Sequence, residues 1–252
     1  MAETRWLPSG TSAAFPNFDA AANLSLVFAK FAGSGKSEHR RKHAREFVEP
    51  AIPLDGDAEQ RLNNALATMK RLASQFQGVS DPFRTVSALI TGIGLPSPLE
   101  NGIELHPTLG VPYVPGSSIK GMVRNWAEQW ADDSTGGATD TTRRIFGTPD
   151  HVGSVLFLDA LPEPDITIEL DIMNVHYQEY YQGTSAPADW LSPNPVLFYV
   201  VPAGKRFRFA FLPRDRQVSG DIEIVRNWFE EAAIELGLGA KTKSGYGRLK
   251  PA

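Results

Sequence analysis

Cysteine is absent from the 252 residues of this chain, which rules out disulfides, thiolate zinc sites and thiol catalysis together. Long apolar runs are missing too, and no stretch approaches the length of a membrane-spanning helix. The N-terminus lacks the basic and apolar regions of a signal peptide. The expectation is therefore a cytoplasmic protein with no membrane partner. An excess of positive charge is also lacking, since the formal net charge is −4. That argues against indiscriminate nucleic-acid binding, but for a polyanion the clustering of cations counts for more than their sum. They do cluster, at 36–45, at Arg143 and Arg144, around Lys205–Arg208, at Arg214 with Arg216, and near the C-terminus.

That last cluster organises the chain. Between Gly237 and Arg248, four glycines alternate with Lys241, Lys243, Tyr246 and Arg248. Glycine reaches positive φ and carries no Cβ, so Gly239, Gly245 and Gly247 allow a backbone to press against a ligand. Successive N–H groups in such turns form concave anion sites, and the three cations add full charge. A phosphate backbone suits this composition. The alternative is a solvated hinge between a helix and a strand. Neither named phosphate motif fits. Thr242 precedes Lys243-Ser244 where a Walker loop needs Gly-Lys-Ser/Thr, and the run closes a helix instead of opening one. The tail Gly33-Ser34-Gly35-Lys36-Ser37 imitates a Walker loop but has Lys30 where glycine is required.

Apolar spacing predicts helices over 18–31 and 57–76, the second with Leu62, Leu66, Met69, Leu72 and Phe76 on one face. His39 and His43 stand one helical turn apart, but Arg40, Arg41 and Lys42 crowd that turn and disfavour a metal. Residues 1–80 thus look like a helical N-terminal extension to a domain at 81–252. A strand is expected over 83–92. Ser117 or Ser118 then caps a helix running to about Trp130, whose N-terminus forms a second anion site beside Lys120 and Arg124. A polar loop is expected over 132–142 and strands over 153–160 and 166–172. The segment 173–195 is a long functional loop rich in tyrosine. There Tyr177, Tyr180, Tyr181 and Trp190 can stack on bases or pack against another subunit. Strands over 196–201 and 206–212 look like a hairpin, and a helix over 221–236 precedes the glycine run. This order of strand, helix, strands, helix and strand is a ferredoxin-like (RRM-like) α+β layout.

Enzymatic patterns are weak. Ser117-Ser118-Ile119-Lys120 matches Ser-x-x-Lys, and Lys241-Thr242-Lys243 imitates Lys-Thr-Gly, but Lys243 replaces the needed glycine and no Ser-Asp-Asn element lies between. His106 and His176 are the core histidines placed to act as general acid or base, and neither has an evident partner. Asp159, Glu169 and Asp171 show no pairing that implies metals.

Two stretches together resemble the RAMP superfamily, the RNA-binding subunits of CRISPR effector complexes. They are Pro115-Gly116-Ser117-Ser118-Ile119-Lys120-Gly121 and the terminal 239–248 run. The resemblance narrows at Leu105-His106-Pro107-Thr108-Leu109-Gly110-Val111-Pro112-Tyr113, at 170–177 and at 195–200. Those residues look like the sixth-subunit family of type III-B (Cmr) complexes. The resemblance covers roughly residues 84–250. It implies a ferredoxin-like RAMP core that binds guide RNA near its 3′ end, meets target RNA and packs against other Cmr subunits in antiviral defence. It implies a non-catalytic ribonucleoprotein subunit without cofactor or metal. The expected RNA-binding residues are Ser117, Ser118, Lys120, Arg124, His176, Tyr180, Gly239, Lys241, Lys243, Gly245, Tyr246, Gly247 and Arg248. The rival within the superfamily is a metal-independent endoribonuclease that processes CRISPR RNA.

Overall fold

The structure, a computed structural model, describes residues 23–31, 56–97, 101–130, 138–175, 178–184, 186, 194–215 and 220–252. The basic segment 36–45 and the aromatic or histidine positions His176, Tyr177 and Trp190 lie outside the described residues.

Five strands form an antiparallel sheet: β1 (Val79–Thr85), β2 (Val155–Phe157), β3 (Leu161–Pro162), β6 (Arg206–Pro213) and β7 (Leu249–Pro251). Their order is β2-β6-β1-β7, with β3 continuing along β6 beyond β2. Pro82 is tolerated in β1 because the β7 ladder begins only at Phe83, so one flank of Pro82 carries no strand register. In β6, Phe207, Phe209 and Phe211 alternate onto one face, and all are buried. Phe83, Phe209 and Phe211 surround Phe229 at centroid distances of 4.8, 4.6 and 5.3 Å. Each such buried ring contributes roughly 1.5–3 kcal/mol through area removed from water.

Phe229 belongs to α6 (Gly220–Glu235), which packs beside α3 (Gly116–Gln129). Helix α2 (Gly56–Gln75) covers β1 and β6 and sends Leu62, Leu66 and Met69 into the same core. The expected spacing holds at Leu62, Leu66 and Met69, but Ala73 completes the buried face while Leu72 is only partly buried and Phe76, just past the helix end, is exposed. At the far end, α4 (Ala138–Phe146) is anchored by Arg144, whose guanidinium makes bonds of 2.9–3.2 Å to buried Asp221. Asp221 occupies the first turn of α6, where a carboxylate is favoured by the helix dipole. That bond holds the Arg144 pKa above its ordinary value.

A separate hairpin pairs β4 (Glu169–Val175) with β5 (Asn194–Val200), with the short helix α5 (Gln178–Tyr181) between them in sequence. Helix α1 (Leu24–Phe31) lies beside it, with Phe28 edge-on to Tyr199 at 5.5 Å.

Several expected elements differ. The strand expected at 83–92 begins earlier, at Val79, and ends at Thr85, because β6 offers partners from Phe211 to Arg206. Part of the expected polar loop 132–142 is helical from Ala138; Thr141, Thr142, Ile145 and Phe146 are buried by tertiary packing that composition does not show. The expected hairpin of 196–201 with 206–212 does not form. Val201 bridges Leu89 with paired 2.8 Å bonds, and the chain there leaves the β4–β5 sheet to enter the main one.

Candidate nucleic-acid interface

Helix α3 starts differently from its sequence expectation. Pro115 holds the N-cap position, and Ser117 and Ser118 lie within the first turn. Pro115 pre-sets the backbone at the helix entry, and the carboxylate Oδ1 of Asp159 accepts the Gly116 N–H at 2.7 Å. The Pro115 carbonyl accepts from Ser118 and Ile119. The expected serine cap is thus replaced by an acid from 43 residues away in sequence. A carboxylate already takes the first N–H of this helix, so the cap itself is not an empty anion site.

The glycine run folds as a compact turn around a short 3-10 helix, Thr242–Ser244. Several of its N–H groups serve the protein. Ala240 donates to Ile90 O at 2.9 Å, Gly247 to Ala88 O at 2.8 Å, and Leu238 to Gly247 O at 2.8 Å. Two glycines make this approach possible. A Cβ on Gly239 would lie 2.2 Å from Ile90 O, and one on Gly247 would lie 1.9 Å from Leu238 O, both at positive φ. These two glycines bring backbone against backbone, where the sequence suggested backbone against ligand.

Side chains of the turn diverge. Lys241, itself at φ 56, reaches the β4–β5 hairpin, with Nζ 2.9 Å from Met173 Sδ and 5.6 Å from the Phe198 ring centre. Tyr246 donates to Asp171 Oδ2 at 2.7 Å and meets Phe198 edge-on. Arg248 donates to the Ile234 carbonyl near the end of α6 at 3.0 Å. Lys243 is exposed and turns toward α3.

Between the turn and α3 lies a cleft of about 910 Å³. Ser118, Asn125 and Gln129 line one wall, Lys243 and Arg248 the other, and the turn at 90–95 closes the floor. Ser118, Gly121, Asn125 and Gln129 recur at helical spacing, so this polar stripe was legible in the sequence though not singled out. Thr91 was missed altogether. It is only 6% exposed, lines the cleft, and its hydroxyl has no hydrogen-bond partner among the described residues. A buried hydroxyl left unpaired costs about 1–3 kcal/mol. Its oxygen has almost no accessible surface, so a ligand acceptor in the cleft would recover that cost only with a local shift of packing. Glu104 and Glu235 also line the cleft and temper its positive charge.

Of the expected RNA contacts, the structure gathers Ser118, Gly239, Lys243 and Arg248 here. Lys120 and Arg124 lie on the other side of α3, toward the 147–153 loop. Lys120 has its pKa lowered by burial and by neighbouring Arg124 and Arg214. Tyr180 is half exposed on α5, away from the cleft lining, and Gly245 projects into open space. His106 has a local role. Its Nδ1 faces the N–H groups of Thr108 and Leu109 at 3.4 and 3.3 Å, and its ring stands edge-on to Tyr113. Burial lowers its pKa, which favours the neutral, accepting ring.

A family model described as the RAMP superfamily matches residues 82–250, more than half of the chain. The chain is 29% identical to the CRISPR system Cmr subunit Cmr6 of Pyrococcus furiosus, covering 80% of this chain and 76% of that protein. It is 27% identical to the Cmr6 subunit of Saccharolobus solfataricus, over 84% of this chain and 70% of that one. Among solved structures, a chain of a type III-B Cmr-beta complex bound to cognate target RNA aligns with a TM-score of 0.67 at 24% identity. That alignment covers 86% of this chain and 75% of that chain, which shows a shared fold. The chain belongs to the RAMP superfamily and is Cmr6-like.

Proposed function

We propose that this chain is a non-catalytic RNA-binding subunit of a type III-B CRISPR ribonucleoprotein. It holds guide RNA near the guide's 3′ end, adjoins target RNA and packs against other Cmr subunits. The observation that carries this reading is the cleft, which joins the Ser118 face of α3 to Lys243, Arg248 and the unpartnered Thr91 hydroxyl. Its donors are hydroxyl, amide and cation, a mixture suited to phosphate and ribose oxygens. The Cmr6 relatives supply the assembly context.

The strand order β2-β6-β1-β7, with α3 and α6 as the two crossover helices, supports a ferredoxin-like core. In this reading the RAMP domain expected at 81–252 begins with β1, at Val79, and α2 of the preceding extension docks on the domain's sheet. The location is cytoplasmic, and no described helix is long and apolar enough to cross a membrane.

Among the described residues, the non-catalytic reading is supported at His106; His176 lies outside them. A ring whose Nδ1 receives local backbone donors and whose pKa is lowered is a turn cap, poorly placed to lend a proton. The test is co-expression with the neighbouring Cmr subunits, purification, and sizing of the nucleic acid that comes with them. A discrete guide-length RNA retained by the complex, left uncut by the purified chain with or without magnesium, is the expected result. Site-specific cleavage abolished by His106→Ala or His176→Ala would replace this reading with the processing endoribonuclease.

A further inference from the structure

On the opposite side of α3 from the cleft, a groove of about 770 Å³ runs between α3, α4 and the loop at 147–150. It continues into a smaller hollow of about 280 Å³ that shares Phe146, Thr148, Pro149 and Asp150. Four cations border this surface: Arg124 and Arg143 in the groove, Lys120 and Arg214 in the hollow. Two acids, Glu128 and Asp150, also line it. Glu128 bonds Arg124 through Nε at 2.6 Å, so the contact engages the side of the guanidinium and not its terminal fork. Arg143 makes no ion pair among the described residues. Arg214 is held by a 3.0 Å bond from Nε to the Gly153 carbonyl, and among the described residues its fork has no acceptor.

A second observation is independent of charge. Thr142 lines the groove, is only 6% exposed, and its hydroxyl lacks a hydrogen-bond partner among the described residues. Thr142 is a helical residue, where such a hydroxyl ordinarily bonds back to the carbonyl of the preceding turn. Its oxygen has almost no accessible surface, so an acceptor brought into the cation-lined groove would satisfy it only once the packing around it shifts. An ion with several oxygens can accept from the hydroxyl and from a guanidinium fork together.

We propose that the groove between α3 and α4 is a second phosphate site, separate from the glycine-turn cleft, in which Arg124, Arg143 and Thr142 hold one stretch of an RNA backbone. Lys120 and Arg214 extend the path around the end of α3. The proposal rests on the RNA reading above and adds a second contact surface to it.

The test is fluorescence anisotropy with a 20-nucleotide oligouridylate across a salt series, on the full chain assembled with its partner subunits. Arg124→Gln combined with Arg143→Gln is expected to flatten the log–log salt slope by about 1.4, two contacts at about 0.7 each. Thr142→Val is expected to weaken binding while leaving the melting temperature unchanged or raised, because it removes a buried unpaired hydroxyl. Lys243→Ala serves as the arm for the cleft. If Lys243→Ala weakens binding and the groove variants do not, the second site is overturned and the cleft stands. If wild type shows no salt-dependent binding, both fall. Displacement from the groove by polyglutamate but not by oligouridylate would assign it to an acidic protein segment and overturn the proposal equally.

Discussion

The Tyr246 hydroxyl donates a 2.7 Å hydrogen bond to Asp171 Oδ2, and this bond fastens the glycine turn to the β4–β5 hairpin. Both groups are half-buried, and the ring also meets Phe198 edge-on. Tyr246→Phe keeps the ring and removes the bond. It is expected to lower stability by about 1 kcal/mol, read as a shifted urea midpoint with an unchanged m-value. An unmoved midpoint would show that the hairpin and the turn are held by other contacts.

The same bond sets an alkaline limit. The Asp171 hydrogen bond raises the Tyr246 pKa, with burial and the Asp171 charge adding to it. Burial first, then the Glu104 charge and hydrogen bond, push Tyr113 up to about 12. The folded state therefore holds these protons when the unfolded chain, titrating near the ordinary 10.0, has begun to lose them. Their contribution to stability is complete below pH 10 and declines as pH rises through the folded values. Denaturation midpoints at pH 8 and pH 11 check this; Tyr246→Phe is expected to reduce the loss between them.

Two lysines one residue apart are expected to behave differently. Lys241 lies against Met173 and Phe198, whereas Lys243 faces the cleft. Lys243→Ala is expected to flatten the salt slope of RNA binding by about 0.7 without altering the melting temperature. Lys241→Ala is expected to lower the melting temperature and leave the slope nearly intact. Equal effects of the two substitutions on the slope would return both lysines to a single phosphate clamp.

The serines of α3 divide in the same manner. Ser118 lines the cleft and Ser117 does not. Ser118→Asp is expected to weaken RNA retention about fivefold, the effect of roughly 1 kcal/mol of like-charge repulsion. Ser117→Asp is expected to leave retention unchanged, and both should fold, since acidic residues suit a first helical turn. Equal losses would place the RNA at the helix tip instead of along its face.

The glycines can be separated by the space around them. Gly247→Ala forces a Cβ to within 1.9 Å of Leu238 O at φ +77, while Gly245→Ala meets nothing within 4 Å and carries only the strain of φ +92. Gly245→Ala is expected to cost about 1–2 kcal/mol and Gly247→Ala considerably more, by thermal or urea unfolding.

Much of the architecture was legible because it depends on local periodicity. The faces of α2 and α6 follow apolar residues at helical spacing, and the phenylalanines of β6 alternate. What could not be read depends on contacts distant in sequence. Asp159 caps α3 from 43 residues away, a link that no spacing rule carries. The separation of β5 from β6 into two sheets is decided by partners at Glu169–Val175 and at Val79–Arg84. At the site, the charges were evident in the sequence but their directions were not. The left-handed backbone at Lys241 and the 3-10 turn that follows it send Lys241 and Lys243 to different surfaces, and helical rotation set Lys120 and Arg124 away from Ser118. Thr91 carried no sequence signal, since an unpaired hydroxyl is defined by what surrounds it.

The most direct measurement is ultraviolet cross-linking of uridine-containing guide RNA in the assembled complex, followed by mass spectrometry of the modified peptides of this chain. Cross-links on peptides carrying Thr91, Ser118–Gln129 and Gly239–Arg248 are the predicted result, because those segments enclose the cleft. Cross-links confined to other segments, or none above the unirradiated control, would contradict the assignment of this cleft to RNA.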